Sequence, residues 1–223
     1  MRNFDELVDL AATHHGSREA VLEKAGNSHG GVDLTSIPDD RWLAEMTKAV
    51  FQAGFSWKVI AAKWDGFEEA FEGFDPTRVG FYSDDDLDRL VSDTGIVRNG
   101  QKIKATIENA RFVSETAKAH GSFGAFLAGW PADDQVGLMA HLAKHGSRLG
   151  GSSAQYFLRF TGWDAWVLSK DVCVALVREG VLDKPTATSK KALAQVQDAF
   201  NRLHGESGQS RAVISRVLAL SVG

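Results

Sequence analysis

The sequence predicts an all-α fold, and three observations carry that expectation. Apolar residues recur with a helical period through most of the chain. All four prolines stand at the ends of such stretches. Sustained period-two alternation, the mark of a half-buried strand, is absent, and the few β-branched pairs fall inside helical windows.

Taken in order, the expected helical ranges are 3–13, 17–25, 39–53, 57–64, 66–72, 76–81, 84–92, 100–119, 122–128, 133–145, 152–161, 170–179, 190–204 and 210–221. Ten or eleven of these are expected as helices and the shortest as turns. Leu43, Met46, Val50 and Ala53 mark one face after Pro38. Ile103, Ile107, Ala110, Val113 and Ala117 do the same after Asn99, and Leu193, Val196, Phe200 and Leu203 near the end. Asp75-Pro76 reads as an N-cap followed by the first helical residue, Pro131 precedes a helix starting near Asp133, and Pro185 lies in the linker that Ser189 closes as a cap. Ser83 followed by Asp84, Asp85 and Asp86 reads as a helix start, because acids in a first turn complement the helix dipole. That acidic run is therefore assigned to a helix rather than to a metal.

Of the 223 residues, 43% are hydrophobic and 24% charged, enough apolar surface for a packed core. No apolar run is long enough to span a bilayer, and the first ten residues, MRNFDELVDL, carry acids where a signal peptide needs an apolar stretch. A soluble, cytoplasmic protein is expected. The single cysteine, Cys173, excludes an internal disulfide and any multi-cysteine zinc site. The net charge of −4 hides an asymmetry. Residues 1–100 hold 10 Lys and Arg against 19 Asp and Glu, whereas residues 101–223 hold 15 against 10. A general cationic coat is excluded; a local polyanion-binding face and chance clustering both fit.

Two segments carry candidate chemistry. In His141–Lys170 a helix ends at Lys144-His145-Gly146, a Gly150-Gly151 turn follows, and Ser152-Ser153 is placed to cap the next helix. Glycines let backbone amides approach a phosphate, the following helix adds its dipole, and Lys144 and Arg148 add charge. The same pattern serves in an ordinary corner between two helices. In the second segment, Phe51–Trp57, a helix stops at Gly54, Phe55 is presented in the turn, and Ser56 starts the next helix. An apolar tip there suits a wedge between base pairs, or a buried staple; Trp57 suits a stacking platform, or core.

The second segment opens a longer pattern. QAGFSW at Gln52–Trp57 is followed by FDP at Phe74–Pro76 and by GIVRNGQKI at Gly95–Ile103. In order and spacing over residues 42–112 the chain resembles the bacterial 3-methyladenine DNA glycosylase I family. From His141 to Val177 it resembles, more loosely, the wider helix-hairpin-helix DNA glycosylase superfamily. The resemblance implies an all-α, two-lobed fold with a cleft between the lobes, in which a damaged base is flipped from the duplex and its N-glycosidic bond hydrolysed. It implies that Gly150, Gly151 and Ser152, flanked by Arg148 and Lys144, hold a DNA phosphate. Phe55 would plug the gap left by the flipped nucleotide, and Trp57, Gln52 and Ala49 would line the base pocket.

The chain also departs from the family. The family carries a glutamate three residues before the glutamine of QAG, where this chain has Ala49. The family's zinc-binding cysteines and histidines are absent. The wider superfamily places an aspartate in the loop after the hairpin's second helix; Asp171 matches, with Ser169 as the neighbour a shifted register would select. Asp171 also suits a plain helix cap. Strand-cutting members use a lysine near the position of Ser152, so a monofunctional enzyme is expected. No cofactor or metal is expected; His14, His15 and His29 read as surface histidines, Cys173 as core, and Trp163 or Trp166 as cleft lining. Residues 1–38 are expected as a divergent N-terminal extension and 39–223 as the glycosylase-like domain. The expected partner is double-stranded DNA with a damaged base, bound by a monomer, with no membrane. Two functions stay open: an enzyme releasing an alkylated purine, or an inactive module of the same fold that marks damage.

Overall fold

The computed structural model describes residues 1–26 and 32–223. Its described residues form fourteen α-helices and no strand. They are α1 (Phe4–His15), α2 (Arg18–Ala25), α3 (Asp39–Gln52), α4 (Trp57–Ala62), α5 (Trp64–Ala70), α6 (Pro76–Val79), α7 (Asp84–Ser92), α8 (Gly100–His120), α9 (Phe123–Ala128), α10 (Gln135–His145), α11 (Ser152–Phe160), α12 (Lys170–Arg178), α13 (Lys190–Ser207) and α14 (Arg211–Leu220). Each of the fourteen expected ranges holds a helix, including the short ones expected as turns. Residues 27–31, which include His29, lie outside the described residues. No described helix is long and apolar enough to cross a membrane.

The chain divides into two compact units. One comprises Met1–Val32, Pro131–Gly137 and Gly162–Gly223. Leu7, Val8 and Ala11 of α1 are buried, as are Val196, Phe200 and Leu203 of α13 and Ile214, Val217 and Leu218 of α14. Trp166 stacks on Phe200 with ring centroids 5.7 Å apart. Trp163 and Trp166, expected as cleft lining, are both buried. The N-terminus is tied down by Glu179, whose buried carboxylate accepts from the Arg2 backbone N–H at 3.0 Å, from Arg2 Nη1 at 2.7 Å and from Arg178 Nε at 2.9 Å. Asp164 caps α14, accepting from the Arg211 and Ala212 amides at 3.0 Å each.

The other unit comprises Asp33–Trp130 and Leu138–Thr161. Its frame is α3 packed along α8. The expected apolar faces meet there: Leu43, Met46 and Val50 are buried on α3, and Ile103, Ile107, Ala110 and Val113 on α8. Aromatics complete the core. Trp64 and Phe74 stack at 5.4 Å, Phe71 and Phe74 at 5.4 Å, and Phe51 meets Phe67 edge-on at 4.7 Å. The caps follow the sequence closely. Ser83 and Asp86 form a capping box, Asp75 accepts from the Thr77 amide, and Asn99 accepts from the Lys102 amide. The acidic run at residues 84–86 is thus a helix start. One cap differs: the N-cap of α11 is Gly151, and neither Ser152 nor Ser153 makes a side-chain cap bond.

Candidate functional site

Within the second unit, the end of α3 and the start of α11 enclose a pocket of about 130 Å3. Ala49, Gln52 and Ala53 form one side, Trp57 of α4 another, and Ser152, Ser153 and Tyr156 of α11 the third. The three residues expected in a base pocket, Ala49, Gln52 and Trp57, therefore share one cavity with Ser152 of the expected hairpin. The lining holds aromatic faces, an amide and hydroxyls, and no carboxylate or cation.

Trp57 is 44% exposed, so it is not the core residue its composition also allowed. Its ring stands edge-on to Tyr156 at 5.3 Å and 89°, and edge-on to Phe160 at 5.6 Å and 85°. Tyr156 and Phe160 stack on each other at 5.6 Å. The sequence reading missed both. The signal was available, because Ser152, Tyr156 and Phe160 stand at i, i+4 and i+8, one stripe of a helix that begins at the hairpin.

Phe55 is presented by the turn after α3, where Gly54 has φ +85°, a conformation that favours glycine. It is 37% exposed, which excludes a fully buried staple. The turn is fixed from α8. Lys102 donates from Nζ to the carbonyl oxygens of Val50 at 2.7 Å, Phe51 at 3.3 Å and Ala53. Burial, and then the nearby Arg148 charge, hold its pKa below the ordinary lysine value. Lys102 belongs to the GIVRNGQKI pattern, yet no local signal assigned it a task, because its partners lie about fifty positions upstream.

The hairpin runs from α10 through Gly146 to α11. Asn109 clamps it, as its Nδ2 donates to Ser147 O at 3.1 Å and its Oδ1 accepts from Ser147 N at 2.6 Å. Gly150 and Gly151 are exposed, and Gly151 has φ +55° and ψ −128°. Arg148 and Lys144 are exposed beside them. The Arg148 guanidinium donates to Gln101 Oε1, and its backbone holds a positive φ of 58°. Amides, two cations and a helix start are therefore gathered on one short segment.

Asp171 belongs to the first unit. It lies exposed in the first turn of α12, and the cap of that helix is Ser169, whose hydroxyl accepts from the Val172 amide at 3.2 Å. The capping role open to Asp171 from the sequence is thus filled by its neighbour. His14 and His15 stand near the end of α1, and His29 lies outside the described residues. No three His, Cys, Asp or Glu side chains converge as metal ligands among the described residues. A zinc clamp of two cysteines and two histidines does not fit this chain, whose only cysteine, Cys173, is buried in α12.

A family model described as methyladenine glycosylase matches residues 35–147, just over half of the chain. The chain belongs to the methyladenine glycosylase family. Among curated relatives, DNA-3-methyladenine glycosylase 1 of Escherichia coli (strain K12) is 43% identical over 60 residues, 27% of this chain and 32% of that protein. The DNA-3-methyladenine glycosylase of Haemophilus influenzae is 30% identical over 76 residues, 34% of this chain and 41% of that protein. This family member thus spans well under half the length of the curated relatives it matches. The solved structure of 3-methyladenine DNA glycosylase I from Staphylococcus aureus superposes with a TM-score of 0.51 at 24% identity, covering 66% of this chain and 88% of that one. The 8-oxoguanine glycosylase/lyase of Methanocaldococcus jannaschii, solved with DNA containing 8-oxoguanine, superposes with a TM-score of 0.54 at 11% identity over 96% of this chain and 95% of that one. Both likenesses establish a helical DNA glycosylase fold, and the second extends it well beyond the residues the family model matches.

Proposed function

We propose that this family member is a monofunctional DNA glycosylase that hydrolyses the N-glycosidic bond of a flipped, alkylated purine of the 3-methyladenine kind. The observation that carries this reading is the pocket of about 130 Å3 that joins Ala49, Gln52 and Trp57 to the start of the hairpin helix. An alkylated purine is positively charged. The aromatic faces of Trp57 and Tyr156 suit such a cation, and the Gln52 amide offers both a donor and an acceptor to its edge. Gly150, Gly151 and Ser152 present amides to a phosphate, with Arg148 and Lys144 adding charge. Phe55 fills the space the flipped nucleotide leaves.

In the reaction the bond from the sugar C1′ to the base nitrogen breaks, and the base leaves with the electron pair. That pair neutralises the ring's positive charge, so the leaving group needs no proton. Water adds to the cationic C1′, and Asp171 takes the proton it gives up while its carboxylate stabilises the sugar cation. Asp171 makes no side-chain ion pair or hydrogen bond among the described residues, and Ser169 relieves it of capping, so the carboxylate is available for that work. Ser152 supplies no amine for a Schiff base, and no lyase step follows. The proposed partner is double-stranded DNA bound by a monomer, without a cofactor.

A second reading has one observation in its favour: the pocket lining contains no carboxylate. On that reading the chain binds damaged duplex and releases nothing. Incubating the purified protein with methylated duplex, and identifying released bases by chromatography, separates the two. Release of 3-methyladenine or 7-methylguanine that disappears in Asp171→Asn, with duplex binding kept, supports the enzyme. Binding of methylated duplex without release by the unmutated chain leaves the binding module.

A further inference from the structure

The turn that carries Phe55 is held by a single buried cation. Lys102 is 7% exposed and lies in the first turns of α8. Its three N–H donors meet three carbonyl oxygens, those of Val50, Phe51 and Ala53. These oxygens stand at the C-terminal end of α3, where helix carbonyls lack amide partners and the dipole is negative. No carboxylate pairs with Lys102 among the described residues, so backbone dipoles alone balance its charge. The same ammonium lies 4.8 Å from the centroid of the Phe55 ring and 5.8 Å from that of Phe51. One side chain therefore closes the end of α3, fixes the bend through Gly54 and holds the ring that bend presents.

We propose that Lys102 is the positioning residue for the Phe55 wedge: its ammonium fixes the Ala53–Ser56 turn and docks the Phe55 ring in the attitude that enters DNA. This rests on the wedge role given to Phe55 above. The ammonium touches neither base nor sugar in this account and acts through Phe55. A hydrophobic side chain of similar length fills the space but leaves three carbonyls unpaired and the ring without its cation. Glutamine retains a donor without the charge, and arginine retains charge and donors in a different shape.

The test uses Lys102→Met, Lys102→Gln and Lys102→Arg in the full chain, with 4-fluorophenylalanine placed at position 55. In the free protein, the fluorine resonance reports the docked ring. In duplex carrying an abasic-site analogue beside 2-aminopurine, emission rises when the wedge unstacks the neighbour. For Lys102→Met and Lys102→Gln the fluorine resonance is expected to move to the position of a freely rotating ring, and the 2-aminopurine rise to fall at least tenfold. Affinity for undamaged duplex stays within about twofold of the unmutated chain, since the hairpin is untouched. Lys102→Arg recovers part of both signals, which a general loss of folding would not produce. Should Lys102→Met fail to fold, Lys102→Gln decides. An unchanged fluorine resonance and unchanged 2-aminopurine rise in a folded Lys102→Gln protein overturn the proposal, as does an unmutated chain that gives no rise. An unmutated chain that gives the rise yet releases no base sinks only the glycosylase reading, because neither signal depends on catalysis.

Discussion

Asn109, in the middle of α8, and Ser147, in the turn after α10, exchange two hydrogen bonds: the amide nitrogen of Asn109 donates to Ser147 O at 3.1 Å and its oxygen accepts from Ser147 N at 2.6 Å. Asn109 is fully buried, so one side chain satisfies both polar groups of a residue that begins the glycine-rich turn. Asn109→Ala leaves that amide and carbonyl without partners. The expected cost is about 2 kcal/mol of unfolding free energy, read by urea denaturation. Duplex affinity should fall with it, because the turn's amides lose their fixed direction. A variant with unchanged stability and affinity would show that the clamp is not what orders the hairpin.

The two hairpin glycines make opposite predictions. Gly151 holds φ +55° and ψ −128° with open space where a Cβ would stand, so the cost of Gly151→Ala is conformational, about 1–3 kcal/mol. Gly150 has a negative φ, and an added Cβ would meet only Ala143 Cβ, at the ordinary distance of 3.8 Å. Gly150→Ala should therefore leave the denaturation midpoint close to that of the unmutated chain, whereas Gly151→Ala lowers it. Equal midpoints for the two variants contradict this account of the turn.

The difference between those glycines was not legible from sequence, which reads GG as one turn. What was legible was local. Caps such as Ser83, Asp75 and Ser189, and the apolar faces of α3 and α8, follow from spacing within a few residues, and the structure repeats them. Ala49, Gln52 and Trp57 were legible as a group because the pattern around them is contiguous. The unread residues act at a distance: Tyr156 reaches Trp57 from almost a hundred positions away, and Lys102 and Asn109 answer carbonyls and amides that local patterns do not expose. Asp171 shows the reverse case, since one residue type fits a cap and a catalytic acid equally well. The structure gives the cap to the Ser169 hydroxyl, which accepts from the Val172 amide.

A pH dependence follows from His141 on α10. Its ring packs against Phe126 at 5.0 Å, Trp130 at 5.4 Å, Phe112 at 6.1 Å and His145 at 4.4 Å. Burial, and then the charges of His145, Lys144 and His120, hold its pKa below the ordinary 6.5. The folded state thus binds fewer protons than the unfolded chain, and the sign is fixed. Its contribution is complete above pH 6.5 and is lost as pH falls from there through the lower folded value. The melting temperature should decline on acidification through that window, ahead of the carboxylates. His141→Phe, which keeps a ring in the aromatic cluster, should flatten the decline. A slope as steep in the variant as in the unmutated chain would assign the effect to other groups.

Tyr156 gives the sharpest test of the pocket, because it was absent from the residues the sequence nominated. Its ring faces the cavity and stands edge-on to Trp57 at 5.3 Å. If the pocket holds a purine against its aromatic rings, removing one ring costs about 1–3 kcal/mol, the usual loss when a base loses an aromatic partner. Tyr156→Ala should therefore weaken binding of free 3-methyladenine, followed by quenching of tryptophan fluorescence, by roughly five- to 150-fold. Tyr156→Phe keeps the face, and its hydroxyl makes no side-chain hydrogen bond among the described residues, so its loss should stay within about threefold. Trp57→Ala should match the alanine variant at Tyr156 in duplex experiments, where the fluorophore is not needed. Wild-type affinity in Tyr156→Ala would place the base elsewhere, and would remove the aromatic wall from the account of this site.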